Sequence, residues 1–449
     1  MEIGIANLGT VKYGNVKLEG LTVIAGENDT GKSTIGKTIF AIIKGMNNHR
    51  KDFKEDKITE IDEIIDNIYF KFRRITKNSV ENNLGFSSSF IYPPKVRREV
   101  LRLINLEDFD ALYSFINIYL IELEHEAEML NVPGENLLEI NPLLRELRSV
   151  VRSLENPIEY LGDSVELALK SEFGNDLNNK FTSEAAHIEY SENGEGILDA
   201  YLENNRMMQI SYTDTPLELE DATYIESPLI FQLYKTIADA KSFSSKRRYK
   251  SIRDKNNHKI PFHFTDLISK MSDSSYYESN FFDFNLGQEF IEEIIEIIDG
   301  DSNFNNEIED FLFSREFESN YYSFGTSNVA SGIKSFSIIQ MLLKAEIINE
   351  RSLIIIDEPE IHLHPKWQVK YCELIVKLAS KGVKILITSH SPYTIQALKY
   401  FSKKYELNNK THFYLAEKIV GEKQTRIFNV DDDLNTVFKK LSDPLKKLL

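Results

Sequence analysis

The run Gly26-Glu27-Asn28-Asp29-Thr30-Gly31-Lys32-Ser33 joins loop-forming residues to a cation and a hydroxyl. Glycines flanking a four-residue gap let a backbone curl until its N–H groups line a concavity. The helix expected from Ser33 adds its positive N-terminal end, so the element is suited to hold phosphate. In that geometry Lys32 reaches the β- and γ-phosphates, and the Ser33 hydroxyl occupies a magnesium position. Asn28, Asp29, Thr30 and Thr34 complete the expected phosphate-binding surface, and the bound cofactors are expected to be ATP and Mg2+.

A second run, Leu353-Ile354-Ile355-Ile356-Asp357-Glu358, reads as a buried strand ending in two carboxylates. Open α/β sheets place their ligands at that end of a strand. Asp357 is expected to hold magnesium, and Glu358 to polarise the attacking water as general base. His390, in Thr388-Ser389-His390-Ser391, ends the next apolar strand, where it can touch a γ-phosphate. Ser331-Gly332, within Val329-Ala330-Ser331-Gly332-Ile333-Lys334, opens another helix and offers a second anion site. His362 and His364 are two apart with no third ligand nearby, a weak basis for a metal site.

The elements that must position these groups alternate. Short strands are expected at 3–8, 11–18 and 21–25, separated by Gly9, Gly14-Asn15 and Glu19-Gly20, followed by a helix from Ser33 to about Met46. From 47 to about 180 the pattern becomes helical: Ile58, Ile61, Ile65, Ile68 and Phe72 form one apolar stripe, and Leu143, Leu147, Val150 and Leu154 another after Pro142. Strands are expected again at 187–190, 207–212 and 222–226, with Asn193-Gly194 as a turn. A helical, aromatic-rich stretch is expected from 231 to 313, with an amphipathic helix at 288–298. Thereafter helix 333–348, strand 353–356, helix 367–380 and strand 383–388 alternate, followed by strands at 412–415 and 426–428 and a short terminal helix. The fold class is therefore α/β, built on a largely parallel sheet.

Composition narrows the function classes. The 449 residues include 53 basic and 70 acidic ones, a net charge of −17 that argues against coating nucleic acid by bulk electrostatics. One local exception is the basic stretch 241–259, with Lys246, Arg247 and Arg248 at its centre, a possible nucleic-acid or acidic-partner site. The lone Cys372 excludes a disulfide framework and a cysteine-built zinc site. No apolar run approaches the ~20 residues of a membrane span, and no signal peptide is evident, so a cytoplasmic location is expected.

In this order the motifs resemble the ABC-type ATPase heads of the OLD, SMC-like and recombination-repair families. The run Asp357-Glu358-Pro359-Glu360-Ile361-His362-Leu363-His364-Pro365 and the stretch from Gly20 to Ser33 are most similar to bacterial anti-phage ATPases. The PtuA family of the Septu system comes first and the AriA family of the PARIS system second. The resemblance implies an ABC-type P-loop ATPase head, a mixed sheet with an antiparallel β subdomain, carrying helical insertions. Residues 1–46 form its N-terminal lobe, 47–180 a helical arm, 181–230 a return to the head, 231–312 a second helical and basic insertion, and 313–449 the C-terminal lobe.

The same resemblance implies nucleotide held between two heads in a homodimer or higher even oligomer. Lys32, Ser33, Asp357, Glu358 and His390 would come from one subunit and Ser331-Gly332 from the other. Glu226-Ser227-Pro228, with Gln232 nearby, is the best place for a glutamine loop, and Tyr13 is an adenine-stacking candidate. Ser331-Gly332 lacks the usual leucine and second glycine, so slow hydrolysis is expected. Too few residues follow His390 for the Toprim nuclease domain of OLD proteins, and Asp431-Asp432-Asp433 reads as an acidic turn before a helix. A separate effector such as an HNH nuclease is the implied partner, with no membrane involvement. Two alternatives stand: a DNA repair or chromosome-maintenance ATPase, and a non-hydrolysing ATP-bound scaffold that cages an effector.

Overall fold

A computed structural model describes residues 1–76, 92–129, 140–154, 158–174, 176–213, 217–237, 260–276, 286–318 and 320–446. The basic stretch 241–259 lies outside the described residues. The chain divides into two compact units, Met1–Asn47 with Val165–Leu449, and Asn48–Ser164.

The larger unit is organised by one sheet. Its strands are β1 (Glu2–Leu8), β2 (Val11–Lys17), β3 (Leu21–Gly26), β4 (Ala186–Glu192), β5 (Glu195–Glu203), β6 (Arg206–Tyr212), β7 (Asp221–Ile225), β11 (Ser352–Asp357), β12 (Lys384–Ser389), β13 (Thr411–Lys418) and β14 (Thr425–Asn429). They run in the order β6-β5-β4-β1-β2-β14-β13-β3-β12-β11-β7. The sheet has two characters. β13, β3, β12, β11 and β7 are mutually parallel, and β3 and β11 are buried at every position, as strands covered on both faces must be. β6, β5, β4, β1 and β2 are antiparallel. β4 alternates buried and partly exposed residues, so this half keeps one face wet.

The helices are α1 (Lys32–Thr76), α2 (Pro93–Asn105), α3 (Phe109–Met129), α4 (Asn141–Ser153), α5 (Ile158–Phe173), α6 (Phe262–Ser272), α7 (Leu286–Ile298), α8 (Ser331–Lys344), α9 (Pro365–Ser380), α10 (Pro392–Lys404) and α11 (Leu434–Lys446). One core joins Leu21, Val23, Ile354, Ile356, Ile385 and Ile387 of the parallel strands to apolar residues of α6 to α11. The second unit has its own core, where Ile61, Ile65, Ile68 and Phe72 of α1 meet Val96, Val100, Leu112, Ile116, Leu147 and Val150. Both predicted apolar stripes are therefore core faces.

Four expectations need correction. The first helix does not stop near Met46 but continues to Thr76, because no Pro interrupts 47–76 and its stripe from Ile61 to Phe72 packs into a core. The helical unit ends at Ser164, short of 180, because Val165 and its successors on α5 pack in the head; Val165 backbone lies where a side chain on Gly45 of α1 would be. Residues 301–313 are not helical. With the residues that follow they form a three-stranded antiparallel sheet, β8 (Asp301–Asn305), β9 (Asp310–Phe317) and β10 (Asn320–Gly325). That sheet is tied to α8, since Ser302 bonds Ser337 and Gln340, and Lys344 reaches Asp301 and the Ser302 carbonyl. Finally, β5 and α10 were not anticipated.

Candidate functional site

Parallel pairing brings four loops to one edge of the sheet. β3, β12, β11 and β7 all end there, so 26–31, 389–391, 357–359 and 226–228 follow them at neighbouring positions.

The phosphate-binding loop needs its glycines. A Cβ on Gly26 would lie 2.4 Å from the Ala416 carbonyl oxygen of β13. Gly31 has φ +79°, and a Cβ there would meet Val11 at 2.6 Å. The loop also holds itself: Thr30 Oγ1 donates to the Glu27 carbonyl at 2.8 Å, and exposed Asp29 pairs with Lys418 at 2.8 Å. Asn28 is exposed, while Ser33 and Thr34 stand half-buried in the first turn of α1. The Lys32 ammonium is buried and donates to the carbonyls of Gly26 at 3.1 Å and Glu27 at 2.8 Å.

Lys32 is also where the two predicted halves meet. Its Nζ lies 3.2 Å from Glu358 Oε1. Glu358 itself has φ +48° and ψ +55°, a left-handed conformation that costs a non-glycine residue about 1–3 kcal/mol. Its amide is held by the Thr388 carbonyl at 3.1 Å and the Thr388 hydroxyl at 3.2 Å. Asp357 is nearly buried, and its carboxylate accepts from the Thr388 hydroxyl on one oxygen and from Tyr224 OH at 2.8 Å on the other.

His390 lies beside the same group. Its Nδ1 is 3.4 Å from Glu358 Oε2 and 3.3 Å from Glu360 Oε1, yet forms no hydrogen bond with either. Ser331 and Gly332 do not join this cluster within the chain. Ser331 is exposed at the start of α8, and Gly332 lies against Trp367, where a Cβ would come within 2.9 Å of the ring.

Several further participants were given no role by the sequence. Glu360 is buried, and its Oε1 accepts from Ser389 Oγ at 2.7 Å, His390 N at 2.9 Å and Ser391 N at 3.2 Å, which sets the loop presenting His390. Thr388 and Tyr224 hold Asp357. Burial, reinforced by Asp357, pushes the Tyr224 hydroxyl pKa well above its ordinary value, so it remains a donor. The loop after β7 does lie beside the acidic strand, but its residue there is Glu226, and Gln232 is exposed. Glu226 pairs with Lys37 of α1 at 3.0 Å and with His263 at 2.9 Å; mainly through His263, its pKa is held down at about 2. Burial works against a charged His263, but its contacts with Glu172 and Glu226 outweigh that and raise its pKa.

The remaining sequence candidates have structural roles. His362 Nε2 lies 3.1 Å from Ser227 Oγ, while His364 caps α9 by accepting from Lys366 N at 3.3 Å. Asp431 accepts from His412 Nδ1 and the Phe413 amide, and Asp433 bonds Thr436 at the start of α11. Tyr13 is half-exposed on β2, opposite Ala6 of β1.

The residues present fit a magnesium-bound nucleoside triphosphate. A side chain on Gly26 or Gly31 would collide with neighbouring strands, the buried ammonium faces the cradle, and the Asp357 carboxylate stands alongside. A P-loop on β3, an acidic strand two positions away and an antiparallel flank form an α/β arrangement suited to an ATPase.

Comparison with known proteins gives a broad and a narrow likeness. The SMC head domain from Thermotoga maritima aligns over 96% of this chain and 98% of its own, at 11% identity and a TM-score of 0.36. The SMC head with an extended coiled coil bound to the C-terminal domain of ScpA, from Pyrococcus furiosus, aligns over 100% and 98% at 8% identity and a TM-score of 0.33. The Septu protein PtuA of Bacillus thuringiensis is 49% identical over 45 residues, 10% of this chain and 11% of that protein. The family model described as an AAA ATPase domain matches residues 1–395. With the P-loop and the acidic strand inside that span, the chain belongs to the AAA ATPase domain family.

Proposed function

We propose that this ATPase binds ATP with magnesium between two copies of the chain, hydrolyses it slowly, and uses the cycle to control a separate effector in anti-phage defence. The observation that carries the reading is the meeting of Lys32 with Glu358 at 3.2 Å, on loops that start from different strands of one sheet.

Within one subunit the roles follow from chemistry. The 26–31 backbone and Lys32 bind and orient the phosphates, and Lys32 shifts from carbonyl partners to phosphate oxygens. Ser33 and Asp357 would hold the magnesium ion, which supplies charge neutralisation on the β- and γ-phosphates. Glu358 takes a proton from the attacking water, and His390 is placed to bond the γ-phosphate. Glu360 and Thr388 hold these two groups in register. Among the described residues Ser331 is exposed and does not join this cluster, so the far side of the phosphate is assigned to a second copy.

Exposed Ser331 at the N-terminus of α8 supports a second subunit in that role. β10, the edge strand leading into it, exposes Tyr321, Tyr322 and Phe324, an apolar surface of the kind that marks protein contacts. The 45-residue match to the Septu protein PtuA supports the anti-phage setting, in which the effector is a separate nuclease, such as one of the HNH type. Nucleic acid at 241–259 and a cytoplasmic location belong to the same reading; among the described residues no helix is long and apolar enough to cross a membrane.

The test is ATP turnover by purified protein beside Glu358→Gln, together with DNA and RNA incubated with ATP and magnesium. Turnover by wild type with loss in the variant, and intact nucleic acid, agree with the proposal. Equal turnover places the base elsewhere, and cleavage by the chain alone removes the need for a separate nuclease.

A further inference from the structure

Asp357 is fixed from outside its own strand. The Tyr224 hydroxyl at 2.8 Å is one of its two donors, and Tyr224 is fully buried. The ring occupies a slot shaped by α1. A Cβ on Gly36 would lie 3.0 Å from ring atom Cε2, so any larger residue at that helix position would press on the ring. Phe40, one turn on, meets the ring edge at 6.3 Å between centroids, and the Lys37 ammonium stands 5.8 Å above it. Held on these sides, the hydroxyl has little freedom except toward Asp357.

The remaining wall is His263, whose ring centre is 5.0 Å from that of Tyr224. His263 is wholly buried, hydrogen-bonded to Glu172 at one end and set against the Glu226 carboxylate at the other. Nδ1 lies 2.5 Å from Glu172 Oε2, its backbone N–H donates to Glu172 Oε1 at 3.0 Å, and Nε2 lies 2.9 Å from Glu226 Oε2. Glu226 in turn pairs with Lys37 on α1. Glu172 belongs to the last turn of α5 and His263 to the first turn of α6. An uncompensated charge in this buried group would be expensive, so its members hold position together or not at all.

We infer that Tyr224 is a positioning residue for the magnesium carboxylate Asp357, and that His263 makes this positioning depend on the seating of α5 and α6. The inference rests on Asp357 being the metal ligand in the proposed function. Linkage is reciprocal: a shift in either helix changes magnesium affinity, and magnesium binding tightens both helices. Groups that orient a metal ligand are typically worth 10–100-fold in metal affinity or activity.

The experiment compares wild type with Tyr224→Phe, which keeps the ring and removes the hydroxyl. A fluorescent ATP analogue is titrated with magnesium, and amide hydrogen exchange of Phe262–Ser272 is followed with the analogue in magnesium and in EDTA. The expected result is a rise of about ten-fold or more in the half-saturating magnesium concentration, with the variant still folded in EDTA by its circular dichroism. Magnesium should slow exchange in Phe262–Ser272 in wild type, and less so in the variant. Superimposable magnesium titrations overturn the role of Tyr224. Exchange in wild type that ignores magnesium overturns the link to α6, whatever the variant does. If wild type binds no nucleotide in magnesium, the ATPase reading and this inference fall together, and that result is distinct from the other two.

Discussion

Glu358 occupies a backbone conformation that a non-glycine residue adopts at a cost, and two bonds from Thr388 hold it there. Strain retained beside a buried ammonium suits a group whose carboxylate must face one point. Glu358→Gln keeps that shape, so nucleotide binding should persist while hydrolysis falls by ~10²–10⁴, the usual worth of a general base. Single-turnover measurements check this. Lys32→Ala should remove nucleotide binding, because the remaining N–H cradle cannot neutralise a triphosphate; unchanged affinity in a binding titration would sink the phosphate-loop assignment. Glu226 supplies a pH prediction. Its pKa is lowered from 4.5 to about 2, so its contribution is present above about 4.5 and is lost as pH falls toward 2. Urea unfolding at pH 5.5 and pH 3 should show a larger loss for wild type than for Glu226→Gln. Parallel losses would mean that Glu226 has no special partner in the folded state.

The element that joins the P-loop helix to the sheet edge is α6, and a second buried charge group holds it. Lys44 of α1 pairs with Asp221 at 2.6 Å and Asp266 at 2.7 Å, and Lys270 pairs with the same two at 2.6 and 2.8 Å. The two lysines respond differently. Burial lowers the Lys270 pKa, whereas at Lys44 the two carboxylates outweigh burial and raise it. Lys270 offsets part of its desolvation by also donating to the Ala222 carbonyl and Thr223 Oγ1, each at 2.8 Å. Four alternating charges neutralise one another, and removing one leaves its neighbours unpaired. Asp266→Ala should therefore destabilise the fold by about 3–5 kcal/mol, and Asp266→Leu with Lys270→Met by less than Asp266→Ala. Denaturant midpoints decide this, and equal or greater loss in the double variant contradicts the pairing argument.

For the whole molecule, the proposed binding of ATP between two copies of the chain would set a symmetry. A two-fold axis that brings Ser331 of one copy onto the phosphates held by Lys32 of another does so twice, so the interface is isologous. Ser331→Arg should leave single-subunit nucleotide binding largely intact yet block turnover. Mixing Ser331→Arg with Lys32→Ala chains should restore some activity, because one of the two sites in a mixed dimer has all its parts. This requires that the subunits exchange and that a single intact site can fire. Turnover by dilute, monomeric Ser331→Arg at the wild-type rate would show that each chain works alone.

What the sequence determined by itself was the local chemistry: a glycine loop, a cation, an apolar strand and two carboxylates. Each needs only its own few residues, and β3, β11 and β12 were legible for the same reason. Less legible were β8 to β10, whose Asn, Asp, Ser and Glu content masks a strand pattern; they pair with one another, and β8 is bonded to α8. The continuation of α1 past Met46 was hidden by a polar stretch that resembles a boundary yet contains nothing that stops a helix. Only the tertiary structure decided that Tyr224 bonds Asp357, that Glu360 sets the His390 loop, and that His263 lies between Glu172 and Glu226. Glu172 and His263 are 91 positions apart, and neither belongs to a pattern. A buried ion pair is specified by the desolvation it must offset, and that quantity exists only once the helices carrying its members have packed.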